Sequence, residues 1–142
     1  LGIGLTTTVA RDFTGTASHG ARVDHVQNAV LPKSERTFSR FFNTNAVAMP
    51  QVGTFGNASK VLLRGPGINN WDLAIFKSFP IREPFRLQFR CEMYNAFNHT
   101  QFSGVDTTAR FDPNGVQVNG RFGELISADP ARRMQFGLRF VF

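Results

Sequence analysis

The last ten residues of the chain alternate between apolar and polar side chains. Successive side chains of a β-strand point to opposite faces of the sheet, so a period of two marks a strand with unlike faces. The apolar positions are Met134, Phe136, Leu138, Phe140 and Phe142. The intervening positions are Arg133, Gln135, Gly137 and Arg139. The pattern therefore predicts a strand over residues 133–142 with one apolar face and one polar face.

The same alternation in residues 71–79 and 85–97 predicts a hairpin. Proline cannot donate a ladder hydrogen bond, so Pro80 and Pro84 predict a five-residue turn over residues 80–84. Folding the chain about Arg82 pairs Phe79 with Phe85 and brings the two apolar faces together. The predicted apolar strand face consists of Trp71, Leu73, Ile75, Phe79, Phe85, Leu87, Phe89, Met93, Phe136 and Leu138.

Charged residues test this register at two places. The register sets Asp72 opposite Glu92, which is unfavourable unless Arg90, placed diagonally, compensates. Lys77 shares the apolar face, and a position near the boundary of that face would let its ammonium group reach water.

The remaining segments predict one further strand and two long loops. Residues 1–9 alternate and predict a strand, whereas residues 10–70 and 98–132 are rich in turn-forming residues. Loops of this length are unusual in compact domains. We therefore predict an all-β chain of about four or five antiparallel, up-and-down strands in a single unit over residues 1–142.

Composition agrees with a sheet that has an apolar face. The chain has 16 Phe, and charged residues make up 18%, below the roughly 25% of typical soluble domains. The formal net charge is +6, and no run of four basic residues occurs. Strict alternation sets aromatic and basic side chains on opposite faces, whereas a nucleic-acid platform needs both on one surface. We expect no nucleic-acid partner.

No residue pattern predicts catalysis, a cofactor or a metal site. Cys91 falls on the apolar face and is interpreted as a packed side chain, since a catalytic thiol needs an accessible site and a nearby base. His19, His25 and His99 lack other ligands at metal-binding spacing and are interpreted as loop residues. We expect the protein not to be an enzyme and to hold no cofactor.

Several short motifs resemble the C-terminal end of TonB-dependent receptors, in particular the Oar-like group with a carboxypeptidase-regulatory-like domain that is common in acidobacteria. The resemblance covers roughly residues 36–142. The motifs are Gly56-Asn57-Ala58, Leu63-Arg64-Gly65-Pro66-Gly67, Asn70-Trp71-Asp72-Leu73, Phe76-Lys77-Ser78-Phe79, Arg86-Leu87-Gln88-Phe89-Arg90, Glu92-Met93-Tyr94-Asn95-Ala96-Phe97-Asn98-His99 and Phe122-Gly123. The resemblance implies strands of a bacterial outer-membrane β-barrel with long external loops, a transport-associated role and lipid as a partner.

The terminal strand carries a second resemblance, to the assembly signal of outer-membrane barrels. Its positions are Gln135, Gly137, Phe140 and Phe142. The resemblance implies that the barrel-assembly machinery is a partner.

The number of predicted strands leaves the sheet incomplete. Four or five strands cannot close a barrel of about 22, and a sheet with free edges invites pairing. We expect the chain to be a processed product or a fragment, completed by barrel strands outside it or by other copies of itself. Two alternatives stay open: an extracellular β-fibre subunit at the cell surface, made by strand pairing between copies, and a soluble β-domain that binds an acidic partner.

Overall fold

The computed structural model describes residues 2–3, 6–9 and 22–142, the first two segments by their backbone only. Residues 1, 4–5 and 10–21, which include His19 and parts of the predicted first strand and loop, lie outside the described residues. The described chain is all-β with mainly antiparallel pairing, as predicted. Its strands are β1 (Gly2–Ile3), β2 (Thr6–Val9), β3 (Asp24–His25), β4 (Val47–Ala48), β5 (Leu63–Arg64), β6 (Leu73–Arg82), β7 (Phe85–Tyr94), β8 (Phe102–Val105), β9 (Thr108–Phe111), β10 (Leu125–Ala128) and β11 (Arg133–Val141). Two single-turn 3₁₀ helices span Lys33–Glu35 and Thr44–Ala46.

The chain divides into two compact units, where the sequence predicted one. We call Leu1–Pro66 with Ser103–Ser127 the loop unit, and Gly67–Phe102 with Ala128–Phe142 the sheet unit. The loop unit takes in most of the two segments predicted as long loops. Those segments contain short strands, whose pairing depends on residues distant in sequence and leaves no local periodic signal.

Short strand pairs organise the loop unit. The predicted first strand consists of two pieces: β1 pairs antiparallel with β5, and β2 pairs with β9 in the one parallel pairing of the described residues. β3 pairs antiparallel with β4. β8 pairs with β10, of which residues 103–105 and 125–127 belong to this unit.

The loop unit has a hydrophobic core of its own. Phe42 is almost fully buried and meets Phe122 edge to face, with the ring centroids 5.1 Å apart, a favoured aromatic geometry. Its other large buried side chains include Val23, Leu31, Phe41, Leu63, Phe111 and Leu125. The segments predicted as loops therefore fold by burying apolar side chains.

Gly123 joins two distant parts of this core. Its carbonyl accepts a hydrogen bond from the Phe41 backbone N–H at 2.8 Å, and its own N–H donates to the Asp106 carbonyl at 2.8 Å. Its φ is +92°, and an added Cβ would lie 2.8 Å from Cγ2 of Thr44. Only glycine fits both the backbone conformation and the space.

The sheet unit is built on three long antiparallel strands in the order β11-β7-β6. In β6 and β7, Leu73 pairs with Met93 and Phe79 with Leu87. In β7 and β11, Tyr94 pairs with Arg133 and Arg86 with Val141. β11, the last strand of the predicted up-and-down pattern, thus pairs with the hairpin, although residues 95–132 separate it from β7 in sequence.

The hairpin register differs by two residues from the predicted one. We predicted that Phe79 pairs with Phe85 and Leu73 with Cys91, whereas each pairs two residues further on. The predicted turn over residues 80–84 is also too long, because β6 continues through Pro80 to Arg82. Pro80 is tolerated there because the register is irregular between Pro80 and Arg82, and a bulge interrupts the ladder where proline cannot donate. A shift of two keeps the same side chains on the same face.

Asparagines close the far end of the hairpin. Asn95 and Asn98 have left-handed φ values of 52° and 51°, which Asn adopts more readily than most residues. The Asn95 backbone N–H donates to Oδ1 of Asp72 at 3.0 Å, and the Ala96 N–H donates to the Trp71 carbonyl at 2.8 Å. These bonds end β7 at Tyr94, short of the predicted residue 97, and keep residues 71–72 out of β6.

A buried glutamine fixes the segments around this end of the sheet. Gln101 is 5% exposed, and its Oε1 accepts from the Asn69 backbone N–H at 2.7 Å. Its Nε2 donates to the Gly67 carbonyl, and its backbone carbonyl accepts from the Asp129 N–H at 2.7 Å. One side chain thus satisfies two backbone groups, which would be costly to leave unpaired.

Replacing Gly123 with alanine tests the packing of the loop unit. We expect Gly123→Ala to lower the free energy of unfolding by about 1–3 kcal/mol, because a side chain forces both a strained φ and a clash with Thr44. The control is Gly120→Ala, where an added Cβ would meet nothing within 4 Å and the change should stay within about 0.5 kcal/mol. Denaturant unfolding of both variants measures the difference. Equal effects would contradict the account of Gly123.

Candidate functional site: the two faces of the sheet

The three long strands carry an apolar face with one charged residue, Lys77, within it. Four rows of paired residues cross the strands, and each row takes one side chain from β6, β7 and β11. The rows are Leu73-Met93-Met134, Ile75-Cys91-Phe136, Lys77-Phe89-Leu138 and Phe79-Leu87-Phe140. Of the ten residues predicted for the apolar strand face, all except Trp71 lie in these strands. Met134 and Phe140 belong to the face as well.

Aromatic contacts link the strands on this face. Phe85 and Phe140 stack with centroids 5.8 Å apart, and Phe89 lies 6.4 Å from Phe136. The face nevertheless stays open: Phe136 is 63% and Leu138 71% exposed. Exposed apolar patches of such extent mark surfaces that contact a partner or a membrane.

Trp71 lies beyond the end of β6. Its ring meets Phe97 edge to face at 6.2 Å, and its Nε1 donates to Oδ1 of Asn69 at 3.1 Å. It is 58% exposed. An aromatic ring with a satisfied polar edge at the end of an apolar face is typical of a membrane–water interface.

Lys77 lies in the middle of the apolar face. We expected it near the boundary, but the observed register pairs it with Phe89, with Leu138 beyond, in the third of the four rows. Its ammonium group lies 6.0 Å from the ring centroid of Phe79, which is at the limit of a cation–π contact. The two-residue difference in register and the longer strand move Lys77 inward.

Cys91 occupies the centre of the apolar face. The central strand β7 carries it, between Ile75 on β6 and Phe136 on β11. It is free and 5% exposed. Larger neighbours on three strands cover the thiol.

The opposite face concentrates arginine. β7 and β11 present four Arg and one Glu on it. Glu92 pairs with Ala74, so the prediction that Asp72 opposes Glu92 is wrong, and the Glu92 carboxylate contacts the guanidinium of Arg90. The guanidinium of Arg90 also lies 5.2 Å from the ring centroid of Phe76. The face, here called the arginine face, includes Arg86, Gln88, Arg90, Glu92, Arg133, Gln135, Gly137 and Arg139 with Phe76 and Ser78 of β6.

The four residues of the predicted assembly signal are divided between the two faces. Gln135 and Gly137 lie on the arginine face, opposite Glu92 and Arg90. Phe140 lies on the apolar face opposite Leu87, and Phe142 follows the end of β11 with its ring 6.3 Å from that of Phe140. Phe142 is 85% exposed.

The described part of the chain holds no candidate metal site and no membrane-spanning helix. Its His, Cys, Asp and Glu residues form no group of three that could hold a metal ion. None of its helices is long and apolar enough to cross a membrane. The two faces of the sheet are therefore the candidate functional surfaces.

Comparison with known proteins identifies the family. The family model described as outer membrane beta barrel domain matches residues 2–135, which is nearly the whole chain. The chain belongs to the outer membrane beta barrel domain family. No curated protein and no solved structure is significantly similar to the chain.

The faces fit a barrel-domain chain at the outer membrane. In such barrels, outward side chains meet lipid and inward side chains meet water, and the two alternate along each strand. The apolar face and the arginine face have this alternation over three strands. The prediction of an outer-membrane β-barrel fold is thus confirmed at the level of the family.

Alternation along each strand already places Phe76 and Gly137 on the polar side. What the sequence patterns missed is that both flank Arg90, which pairs with Phe76 in one ladder and with Gly137 in the other. We expected aromatic and basic side chains on opposite faces, whereas Phe76 and Arg90 share the arginine face. Strand order and register decide these neighbours, and no local pattern carries that signal.

The thiol of Cys91 tests how closely the apolar face packs. We expect Cys91 to resist a water-soluble maleimide in the folded protein and to react after denaturation, because neighbouring side chains cover it. The control Ser78→Cys, made in a Cys91→Ala background, places a thiol at an exposed position of the arginine face and should react in the folded state. Rapid labelling of native Cys91 would contradict the packing described.

Proposed function

We propose that the chain forms the C-terminal part of the barrel of a protein resembling TonB-dependent receptors. In this role the apolar face contacts outer-membrane lipid, the arginine face contacts the aqueous lumen, and the chain serves transport without catalysing a reaction. The observation that carries the proposal is the open apolar face on three adjacent strands, with arginines on the reverse. The motifs from Gly65 to Phe97 support the choice of receptor group.

The dimensions of the strands support a membrane-spanning position. β6 and β7 have ten residues each. At about 3.3 Å per residue, such a strand is roughly 33 Å long, and a tilt of about 40° reduces its height to about 25 Å. This height agrees with the apolar band of outer-membrane barrels. Trp71 would then lie at the interface.

The sheet needs partners at its edges. Within the described residues, the order ends at β6 on one side and at β11 on the other. Unpaired edges of nine or ten residues are ready to accept further strands. We propose that other barrel strands pair there. The same edges favour the second candidate, strand pairing between copies in an extracellular filament.

Depth-dependent quenching of tryptophan fluorescence distinguishes these roles. Trp71 is the single tryptophan, so Trp71→Phe gives a clean background for Phe89→Trp and Gln88→Trp, adjacent positions on opposite faces of β7. In phospholipid vesicles, bromine atoms in mid-acyl positions should quench Phe89→Trp and leave Gln88→Trp unaffected. Native Trp71 should respond to bromines near the headgroups.

The opposite outcomes are equally clear. Equal quenching of Phe89→Trp and Gln88→Trp would contradict the assignment of the two faces. No quenching at either position, together with filaments that form without detergent, would favour the extracellular fibre. A folded monomer in plain buffer would contradict both the barrel and the fibre, and would favour a domain that binds an acidic partner.

We also propose that Gln135, Gly137, Phe140 and Phe142 form a signal read by the barrel-assembly machinery. Phe142→Ala should slow assembly into vesicles that contain this machinery, measured by protection from protease. Because Phe142 is largely exposed, the substitution should change the free energy of unfolding of the protein by less than about 0.5 kcal/mol. Phe55→Ala, at a position 66% exposed in the loop unit, is the control and should assemble at the normal rate. Unchanged assembly of Phe142→Ala would contradict the signal.

A further inference from the structure

A depression lies in the middle of the arginine face. Gly137 faces Arg90 across the β7–β11 ladder, and a Cβ at Gly137 would be 3.8 Å from Cβ of Arg90. Glycine has no side chain to occupy this place, so the neighbouring side chains surround an open space of about 420 Å³. Six of the residues that line it belong to the arginine face, namely Phe76, Ser78, Gln88, Arg90, Gly137 and Arg139, and the residues between them in the strands, Lys77, Phe89 and Leu138, complete the lining.

The depression carries positive charge that its surroundings do not neutralise. The Glu92 carboxylate offsets Arg90, but Arg139 has no ion-pair partner among the described residues. Arg139 pairs along the ladder with Gln88, which in turn pairs with Ser78. Two guanidinium groups, an amide and a hydroxyl thus surround one space, all of them hydrogen-bond donors.

The guanidinium of Arg90 is held in place before any ligand arrives. Glu92 contacts it from the same strand, and the Phe76 ring lies 5.2 Å away from it across the ladder. A positioned guanidinium loses less conformational entropy on binding than a free one. Arg90 is therefore prepared to donate to an anion in the depression, and Arg139 supplies the unbalanced charge.

We infer that this depression binds a small molecule with more than one anionic group, carboxylate or phosphate. Guanidinium groups match the geometry of both, and the space exceeds what a single carboxylate fills. The inference rests on the proposed function, since the arginine face then lines the lumen and the depression selects anionic cargo along it.

Citrate is a suitable probe for the binding site, with acetate as a singly charged comparison. Calorimetric titration of the detergent-folded protein at low ionic strength should show citrate binding and much weaker acetate binding. Arg139→Gln should weaken citrate binding roughly 10-fold or more, because a charge-assisted hydrogen bond is lost. Gly137→Leu fills the depression without changing the charge and should weaken binding comparably.

Arg133→Gln is the matched control. It removes the same charge from the same face of β11, six residues or roughly 20 Å from position 139. It should change citrate affinity by less than about twofold, since charges at this distance are largely screened. Circular dichroism of each variant establishes that the sheet is intact.

Several results would overturn the inference. Equal losses of citrate affinity in Arg133→Gln and Arg139→Gln would indicate a general electrostatic attraction instead of a binding site. Unchanged citrate affinity in Gly137→Leu would exclude the depression as the place of binding. Acetate binding as tight as citrate would exclude a ligand with several anionic groups. If Phe89→Trp is quenched by lipid but citrate does not bind, the anion site is refuted and the lipid-facing role stands. If citrate binds but Phe89→Trp is not quenched, the lipid-facing role is refuted and the anion site stands.

Discussion

The antiparallel ladder of β7 with its two neighbours is the constraint on which the sheet unit depends. Each backbone pairing sets three side chains in a row, and the period of two sends successive rows to opposite faces. Phe, Leu, Ile and Met thereby gather on one face of a three-stranded sheet, and Arg and Gln on the other. Neither face exists on a single strand. The membrane-facing role and the anion site that we propose both depend on the same register.

Polar side chains fix that register at one end of the sheet. There, Asn95 turns the chain with a left-handed backbone and anchors to Asp72. Gln101 then holds Gly67 and Asn69 by hydrogen bonds from one buried side chain. A slip by one residue would exchange the faces. These polar contacts therefore protect the placement of the apolar side chains.

The loop unit is stabilised in a different way from the sheet unit. Its strands are two to four residues long, and its stability comes from buried side chains such as Phe42 and Phe122. Glycine at position 123 allows the close approach that this packing needs. A segment without regular alternation is thus a compact structure. One barrel-domain chain therefore contains a unit held by long paired strands and a unit held by a hydrophobic core.

The sequence by itself determined which side chains share a face of each long strand. Alternation is a local property, and it survives a register change of two residues, so the predicted positions of the apolar strand face other than Trp71 fall within the three paired strands. The extent of β6 was not accessible in this way, because Pro80 is tolerated at an irregularity of the ladder, and such an irregularity is a property of the paired strands.

Tertiary structure alone decided the exact pairing, the inward position of Lys77, the depression at Gly137 and the fold of the loop unit. Each depends on contacts between residues far apart in sequence. Arg90, for instance, meets Phe76 and Gly137 through two different ladders. Local patterns specify the face on which a side chain lies, whereas the side chain's neighbours are set by long-range pairing and packing.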